Sequence, residues 1–360
     1  MIDASSKSQV AEAGLETRVS SGHIGSVHLM RGIAALLVVM EHITGRYGYP
    51  GFNSLFWFFD GLGQAGVAGF FVISGIVLPL SLGKVYRWRE FPRFLLRRIV
   101  RIEFTYIASI VFAVALVGAI SSLSRNGDLV LPSLRQLSLH PLYLIPFSSE
   151  SWIQAVYWTL AVEFQFYLSI GLLFPLVSML AQRRNGLAVV ACASFALLVW
   201  VSGWCPEVKL LKYSPCFALG MVVAVRRMYG VGVGLTAACG VAVLAVAVLG
   251  GLGMDVVLAS GITALIATIW SGRVDREMFW VKPFWILGTI SYSLYVTHQV
   301  IASAGENVAR MILRMVPGNP GAVLANLVPV GSLIASLLVA WLLFRWVERP
   351  SQKLSRRLKV

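Results

Sequence analysis

Charged residues are scarce in this sequence, and acidic residues are the scarcest. Only 13% of the 360 residues are charged, with 16 Asp and Glu against 30 Lys and Arg. An ordinary soluble domain has about a quarter of its residues charged, so this deficit argues against one. Hydrophobic residues make up 58% of the chain and form long runs separated by short basic stretches. This composition indicates a protein embedded in a lipid bilayer.

Several chemical signatures are also missing. The four cysteines, Cys192, Cys205, Cys216 and Cys239, form no CxxC pair. Without such a pair or a His-rich spacing, the sequence predicts no zinc, redox or other metal site. We interpret the cysteines as small apolar packing residues. No Gly-x-Ser-x-Gly motif is present, which argues against the exposed serine nucleophile of an α/β-hydrolase.

The hydrophobic runs are candidate transmembrane helices. A helix needs roughly 20 mostly apolar residues to cross the hydrocarbon core, and runs of this length exclude a β-barrel. Such runs occur at 27–44, 62–82, 102–122, 156–181, 187–203, 211–226, 232–250, 253–271, 283–305 and 322–346. The sequence therefore predicts an all-α polytopic membrane protein with about ten transmembrane helices.

The basic residues indicate how these helices are oriented. They lie in short connections beside the apolar runs rather than in one soluble patch. If the N-terminus is cytoplasmic, most of them fall on the cytoplasmic side, as the positive-inside rule requires. We therefore predict that both termini are cytoplasmic. The net charge of +14 then reflects orientation, and we expect no nucleic-acid binding.

Three regions follow from this topology. Residues 1–26 contain no short apolar stretch ending in a cleavage site, so they are expected to form a disordered cytoplasmic tail rather than a signal peptide. Residues 27–351 form the transmembrane domain, and residues 352–360 form a basic cytoplasmic tail. The longest outer connection, about 123–155, contains three prolines. We expect it to fold along the membrane surface, where it could cover a site.

The first span carries two groups suited to chemistry, Arg31 and His42. Eleven helical residues make three turns plus about 20°, so both side chains point to one face, roughly 16 Å apart along the axis. One groove could hold both. An arginine at the inner mouth and a deeper imidazole suit a long anionic ligand such as coenzyme A, whose phosphates bind guanidinium groups. The alternative is that Arg31 extends to the interface and His42 packs against a helix.

A basic stripe precedes the third span. Arg97 and Arg101 are four residues apart, and Arg98 and Arg101 are three apart, so the three share one helical surface. They are candidates for binding the phosphates of acyl-CoA. The alternative is that they set orientation and contact anionic lipid head groups.

Two further ionisable residues lie within spans, where such groups mark functional sites. Glu163 lies in the fourth span and His298 in the ninth. Both are expected at a depth similar to that of His42, although each could instead bond privately to a neighbouring helix. Ser74 is a candidate for packing or hydrogen bonding, and Glu41 for orienting His42. Adjacent helical residues point about 100° apart, which weakens the case for Glu41.

Together these segments resemble the acyltransferase-3 family of bacterial membrane O-acyltransferases over residues 27–351. The resemblance includes the spacing from Arg31 to His42 and the basic cluster. The proline that often follows this cluster in the family is absent at 102–106. The other motifs, in the family's order, are FFVISG at 70–75, WTLAVEFQFY at 158–167, LGTISYSLYVTH at 287–298 and ERP at 348–350.

The resemblance implies a multi-pass protein of the bacterial inner membrane, in contact with membrane lipids. It implies a cytoplasmic acyl-CoA donor, usually acetyl-CoA, and a hydroxyl acceptor on a carbohydrate or glycolipid. His42, directly or with Glu163, would deprotonate that hydroxyl, and Tyr167, Tyr292 and His298 would support the site. Two alternatives are a transporter or flippase of a lipid-linked sugar that uses the same polar groups, and a non-catalytic partner in an envelope complex.

Overall fold

The computed structural model describes residues 25–44, 59, 61–124, 132–270, 278–315 and 321–358. These ranges are helical and contain no β-strand, which confirms the all-α prediction. Short 3-10 helices connect several elements, and one π-helical segment, Phe344–Glu348, precedes the last helix. The α-helices are α1 Gly25–Thr44, α2 Leu62–Leu82, α3 Phe91–Ser124, α4 Leu134–Leu139, α5 Trp158–Arg183, α6 Asn185–Ser194, α7 Lys209–Tyr229, α8 Val233–Leu249, α9 Met254–Ile269, α10 Lys282–Met315, α11 Gly321–Leu343 and α12 Arg349–Arg357.

Each of the ten predicted runs contains a helix, but fewer have the full character of a span. Within the described residues, five helical segments are long and apolar enough to cross a membrane, namely α1, α2, α3, α5 and α11 with its continuation. Three shorter apolar helices lie at Asn185–Val201, Val233–Leu249 and Met254–Ile269. The count of ten spans and the cytoplasmic placement of both termini therefore remain predictions. The tail predicted for 1–26 lies outside the described residues up to position 24.

Helix α3 begins earlier than predicted, at Phe91 rather than near residue 102. Pro92 stands in its first turn, where a missing N–H breaks no helical hydrogen bond. No proline follows the basic cluster, so nothing interrupts the helix there. The basic stripe is therefore part of the same rigid helix as the apolar segment that follows it.

Helix α7 forms the centre of the core. Its residues from Tyr213 to Val225 are all buried, and it contacts α2, α6, α8 and α9. The ring of Phe217 stacks on Phe71 of α2 at 4.8 Å and on Phe166 of α5 at 4.1 Å. These aromatic contacts hold α2 and α5, which carry much of the candidate site, in fixed positions.

Small residues let two pairs of helices approach at backbone distance. A Cβ on Gly220 of α7 would collide with backbone atoms of Val72 and Gly75 on α2, and a Cβ on Gly288 of α10 would collide with the carbonyl of His28 on α1. Such small-residue contacts are typical of helix packing in membranes, where van der Waals contact replaces the hydrophobic effect.

The connection between α3 and α5, predicted to lie on the outer side, folds against the helices instead of lying only along a surface. The buried ring of Tyr143 stacks on Tyr106 of α3 at 5.6 Å and on Phe164 of α5 at 4.6 Å. His140 is fully buried beside Trp152. This segment therefore reaches the residue next to Glu163. The predicted connection also includes 125–131, which lie outside the described residues.

Candidate active site

A cavity of about 100 Å³ lies among α1, α2, α3, α5 and α10. Three arginines and two glutamates line it together with hydroxyl-bearing side chains. Charged groups within apolar helices are costly and mark functional sites. Of the residues singled out from the sequence, this charged cavity brings together Arg31, Ser74, Arg98, Arg101, Glu163, Tyr167 and Tyr292.

Glu163 is held by two hydroxyl groups. The Oγ of Ser74 donates to Glu163 Oε1 at 3.1 Å, and the phenol of Tyr167 donates to the same oxygen at 2.6 Å. Tyr167 is one helical turn from Glu163, so α5 itself sets that contact, whereas Ser74 comes from α2. The two hydroxyls fix the carboxylate beside the arginines.

Glu348 lines the wall of the charged cavity, although the sequence indicated it only as part of the ERP motif and not as a site residue. It is 3% exposed, lines the charged cavity, and accepts hydrogen bonds from the Oγ of Ser293 at 2.6 Å and the Nε2 of Gln352 at 2.8 Å. Little in the sequence indicated a role for Glu348, because this residue directly follows a long apolar run and is surrounded by basic residues. A buried carboxylate with several donors is a stable counter-charge for nearby arginines.

Arg98 connects this site to a second cavity. Its guanidinium donates to Ser81 Oγ at 2.7 Å and lies over the rings of Phe94 and Tyr167, 5.6 and 5.9 Å from their centroids. Arginine suits such a place because its planar group both stacks and donates several hydrogen bonds. Arg101 also lines both cavities.

The second cavity, which we call the basic cavity, has a volume of about 390 Å³. Among the described residues, its basic side chains are Lys84, Arg97, Arg98, Arg101 and Arg356, and its acidic side chain is Glu90. The predicted stripe therefore divides between the two sites, with Arg97 only in the basic cavity. Because Arg98 and Arg101 are common to both, the two cavities share one wall.

His42 and His298 form a separate pair. Their ring centroids are 5.0 Å apart in an edge-to-face arrangement. The Nδ1 atoms lie 2.8 Å from the carbonyl of Val38 and 2.7 Å from that of Tyr295, respectively. A carbonyl oxygen only accepts, so Nδ1 carries the proton in each ring and Nε2 is the basic nitrogen. His298 is fully buried, and its Nε2 has no hydrogen-bond partner among the described residues.

The charged cavity includes Arg31 but not His42, so this cavity by itself does not hold both residues, and the expectation of one groove for the two remains a prediction. Tyr295 lines the cavity, and its ring lies 5.8 Å from His298. Its hydroxyl lies 2.7 Å from Thr159 Oγ1, one turn before Glu163. Arg31 and His42 share one face of α1, but they are approximately 16 Å apart along its axis. This distance leaves room for the side chain of Tyr295.

The remaining two candidates have anchoring contacts. Glu41 is buried and accepts a hydrogen bond from the backbone N–H of Gly63, in the first turn of α2. An acidic group suits that end of a helix, and this contact differs from the predicted one with His42. The phenol of Tyr292 donates to the carbonyl of Ile102 at 3.1 Å, which joins α10 to α3.

The helices and these buried charges define a membrane-type helical protein with an internal polar site. Comparison with known proteins makes the class specific, because the family model described as "Acyltransferase domain" matches residues 24–345. The chain belongs to this acyltransferase-3 family. No curated protein and no solved structure matches the chain significantly.

Proposed function

We propose that the protein is a membrane-bound O-acyltransferase. It would transfer an acyl group, in particular acetyl, from cytoplasmic acyl-CoA to a hydroxyl of a cell-envelope glycan or another glycosylated acceptor in the bacterial inner membrane. Family membership supports a membrane acyltransferase. The donor, the acceptor and the roles of the residues are the proposal.

The observation that supports this donor is the shared wall of the two cavities. Arg98 and Arg101 line both, so an extended anionic molecule could occupy the basic cavity with one end and the charged cavity with the other. Acyl-CoA has this form, with phosphates at one end and a thioester at the other. The charged cavity alone, at about 100 Å³, is smaller than the roughly 300 Å³ at which ligand pockets begin, so it suits only the acyl end.

In the proposed reaction, Nε2 of His42 takes the proton from the acceptor hydroxyl. The hydroxyl oxygen attacks the thioester carbonyl, and hydrogen-bond donors at the site stabilise the resulting oxyanion. The C–S bond then breaks, the ester C–O bond remains, and the coenzyme A thiolate takes the proton from His42, which returns to its neutral form. Tyr295 lines the cavity and its ring lies 5.8 Å from that of His298, so we expect this ring to turn aside during transfer. Glu163, which already lines the cavity, would assist the proton transfer.

The test is to incubate membranes containing the protein with labelled acetyl-CoA. We expect loss of thioester matched by an equal amount of ester in a glycan, lipid or small-molecule fraction. The His42→Ala variant should be inserted at the same level and form no ester. Translocation of a lipid-linked sugar without donor consumption would instead establish a transporter or flippase, and neither result would indicate a non-catalytic partner. Ester formation by His42→Ala at a rate within about tenfold of that of the wild type would remove His42 from the mechanism.

A further inference from the structure

The last helix of the chain forms part of the basic cavity. Gln352, Ser355 and Arg356 of α12 are among its lining residues. This helix follows the family match, which ends at residue 345. The sequence suggested only a basic tail here, yet residues 349–357 are helical and pack on α3.

Two parallel rows of side chains explain how α12 is placed. Ser351 and Ser355 are buried. The hydroxyl of Ser355 donates to the carbonyl of Arg97 at 2.8 Å. The hydroxyl of Ser351 lies 3.2 Å from the carbonyl of Arg101 and 2.8 Å from that of Glu348, one turn earlier. The two serines are four residues apart on α12, and the two carbonyls are four residues apart on α3. Successive turns of α12 therefore pack against successive turns of α3. The adjacent row, Gln352 and Arg356, has the same spacing and lines the cavity. Docking of the serines on α3 thus places Arg356 in the lining of the cavity that the α3 stripe also lines.

Tyr86 supplies a further group that points to a ligand. It is 6% exposed and lines the basic cavity, yet its hydroxyl has no hydrogen-bond partner in the described part of the chain. A buried hydroxyl without a partner is destabilising, so a ligand oxygen is the natural acceptor. Burial raises the pKa of Tyr86 to about 12, so the phenol keeps its proton near neutral pH and donates.

The charge of the cavity specifies an anion. Lys84 and four arginines line it. The acidic residue there, Glu90, already accepts a hydrogen bond from the backbone N–H of Arg87 at 2.9 Å. At about 390 Å³, the cavity falls within the range of roughly 300 to 1,000 Å³ found for small-molecule sites.

We infer that α12 and Tyr86 complete a nucleotide-phosphate site in which Arg356 binds the ribose 3′-phosphate of the acyl-CoA donor. The inference rests on the proposed function. With the thioester in the charged cavity, the diphosphate next to the pantetheine arm meets Arg98 and Arg101, which the cavities share. The ribose phosphate lies farther along the donor and meets residues found only in the basic cavity. Lys84, Arg97 and Arg356 are those cations.

The first experiment measures binding to the purified protein in neutral detergent, without lipid. The probes are adenosine 3′,5′-bisphosphate and adenosine 5′-phosphate. We expect the bisphosphate to bind at least about tenfold more tightly, since a hydrogen bond to a charged group contributes roughly that factor. Arg356→Gln should remove this preference, and Tyr86→Phe should weaken binding by a smaller factor. The matched control is Lys353→Gln, because Lys353 is exposed on the same helix and does not line the cavity.

The second experiment compares acetyl-CoA with acetyl-dephospho-CoA as donors in zwitterionic and anionic vesicles. Arg356→Gln should lower kcat/KM about tenfold for acetyl-CoA and leave the value for the dephospho donor unchanged. An equal loss with both donors, or no loss, would overturn the inference. An effect that depends on anionic lipid and not on the donor would assign the site to lipid phosphate. If the bisphosphate binds as predicted but no donor reacts, the inference stands and the proposed function fails.

Discussion

The charged cavity and the histidine pair differ in how their polar groups are held. In the cavity, side chains from other helices fix the acids, as Ser74 does for Glu163 and Ser293 does for Glu348. Each histidine instead directs Nδ1 at a carbonyl of its own helix. Interhelical bonds hold a binding site in one shape, whereas the bonds at the histidines set a tautomer and leave Nε2 as the basic atom. This difference supports the proposal that the charged cavity mainly binds the donor and that His42 takes the proton.

Replacing His42 should produce the largest effect. We expect His42→Ala to lower kcat by roughly 10² to 10⁴-fold, the usual contribution of a general base, with little change in KM for the donor. Steady-state kinetics on reconstituted protein would measure both, with the melting temperature as a control for folding. A kcat within about tenfold of the wild-type value would mean that proton transfer lies elsewhere.

Replacing Arg98 should affect binding instead. Arg98→Gln removes a charged hydrogen-bonding group that lines both cavities. KM for acetyl-CoA should therefore rise roughly 10- to 100-fold, while kcat changes less. Arg89→Gln is the matched control, since Arg89 is exposed in the short 3-10 helix Trp88–Glu90 just before α3 and lines neither cavity. Equal effects in the two variants would show that general positive charge, and not this site, attracts the donor.

Tyr295 tests the boundary between the two regions. Tyr295→Phe removes the hydrogen bond with Thr159 and should lower the free energy of unfolding by about 1 kcal/mol. Because the ring then turns aside more easily, kcat should be unchanged or higher. Thermal unfolding and turnover measured on the same preparation would check both effects. A fall in kcat beyond about tenfold would place the hydroxyl in the chemistry instead.

The smallest effect is expected for His140, in the connection between α3 and α5. His140 donates through Nδ1 to the carbonyl of Gln136 at 2.8 Å and accepts at Nε2 from the N–H of Ile153 at 3.1 Å. Only the neutral ring makes both bonds, and burial lowers its pKa below the usual 6.5. Its stabilising contribution should therefore be complete above pH 6.5 and decline as the pH falls below that value.

His140 should contribute about 1 kcal/mol to the free energy of unfolding, the net contribution of one such hydrogen bond. Melting temperatures measured from pH 7.5 down to pH 5 would reveal it, with His140→Gln as the comparison. The variant should be less stable at neutral pH and should lose part of the decline in acid. An identical pH profile in both proteins would show that other groups account for any acid sensitivity.

The fold class and most of the charged cavity were predictable from the sequence. Ionisable residues in apolar runs are few, and their cost makes Arg31 and Glu163 conspicuous. Helical spacing also placed the basic stripe on one surface. The all-α prediction and the family resemblance are both confirmed, whereas the count of ten spans and the residue roles remain predictions.

The rest depended on how helices are rotated and packed. The depth of His42 follows from its position in the run, but its partner His298 and the intervening Tyr295 depend on the rotation of α10 about its axis. Periodicity alone does not give this rotation. The docking of α12 likewise depends on serine contacts with backbone carbonyls of α3, which carry no hydrophobic signal. The sequence therefore identified the ionisable residues better than it identified the residues that contact them.

The most direct test of the central claim separates binding of the donor from its reaction. Equilibrium binding of acetyl-CoA to the purified protein should be compared among the wild type, His42→Ala and Arg98→Gln. We predict that His42→Ala binds with wild-type affinity although it cannot transfer the acetyl group, and that Arg98→Gln binds at least about tenfold more weakly. The opposite pattern, with affinity lost in His42→Ala and retained in Arg98→Gln, would contradict the assignment of binding to the cavities and proton transfer to the histidine pair.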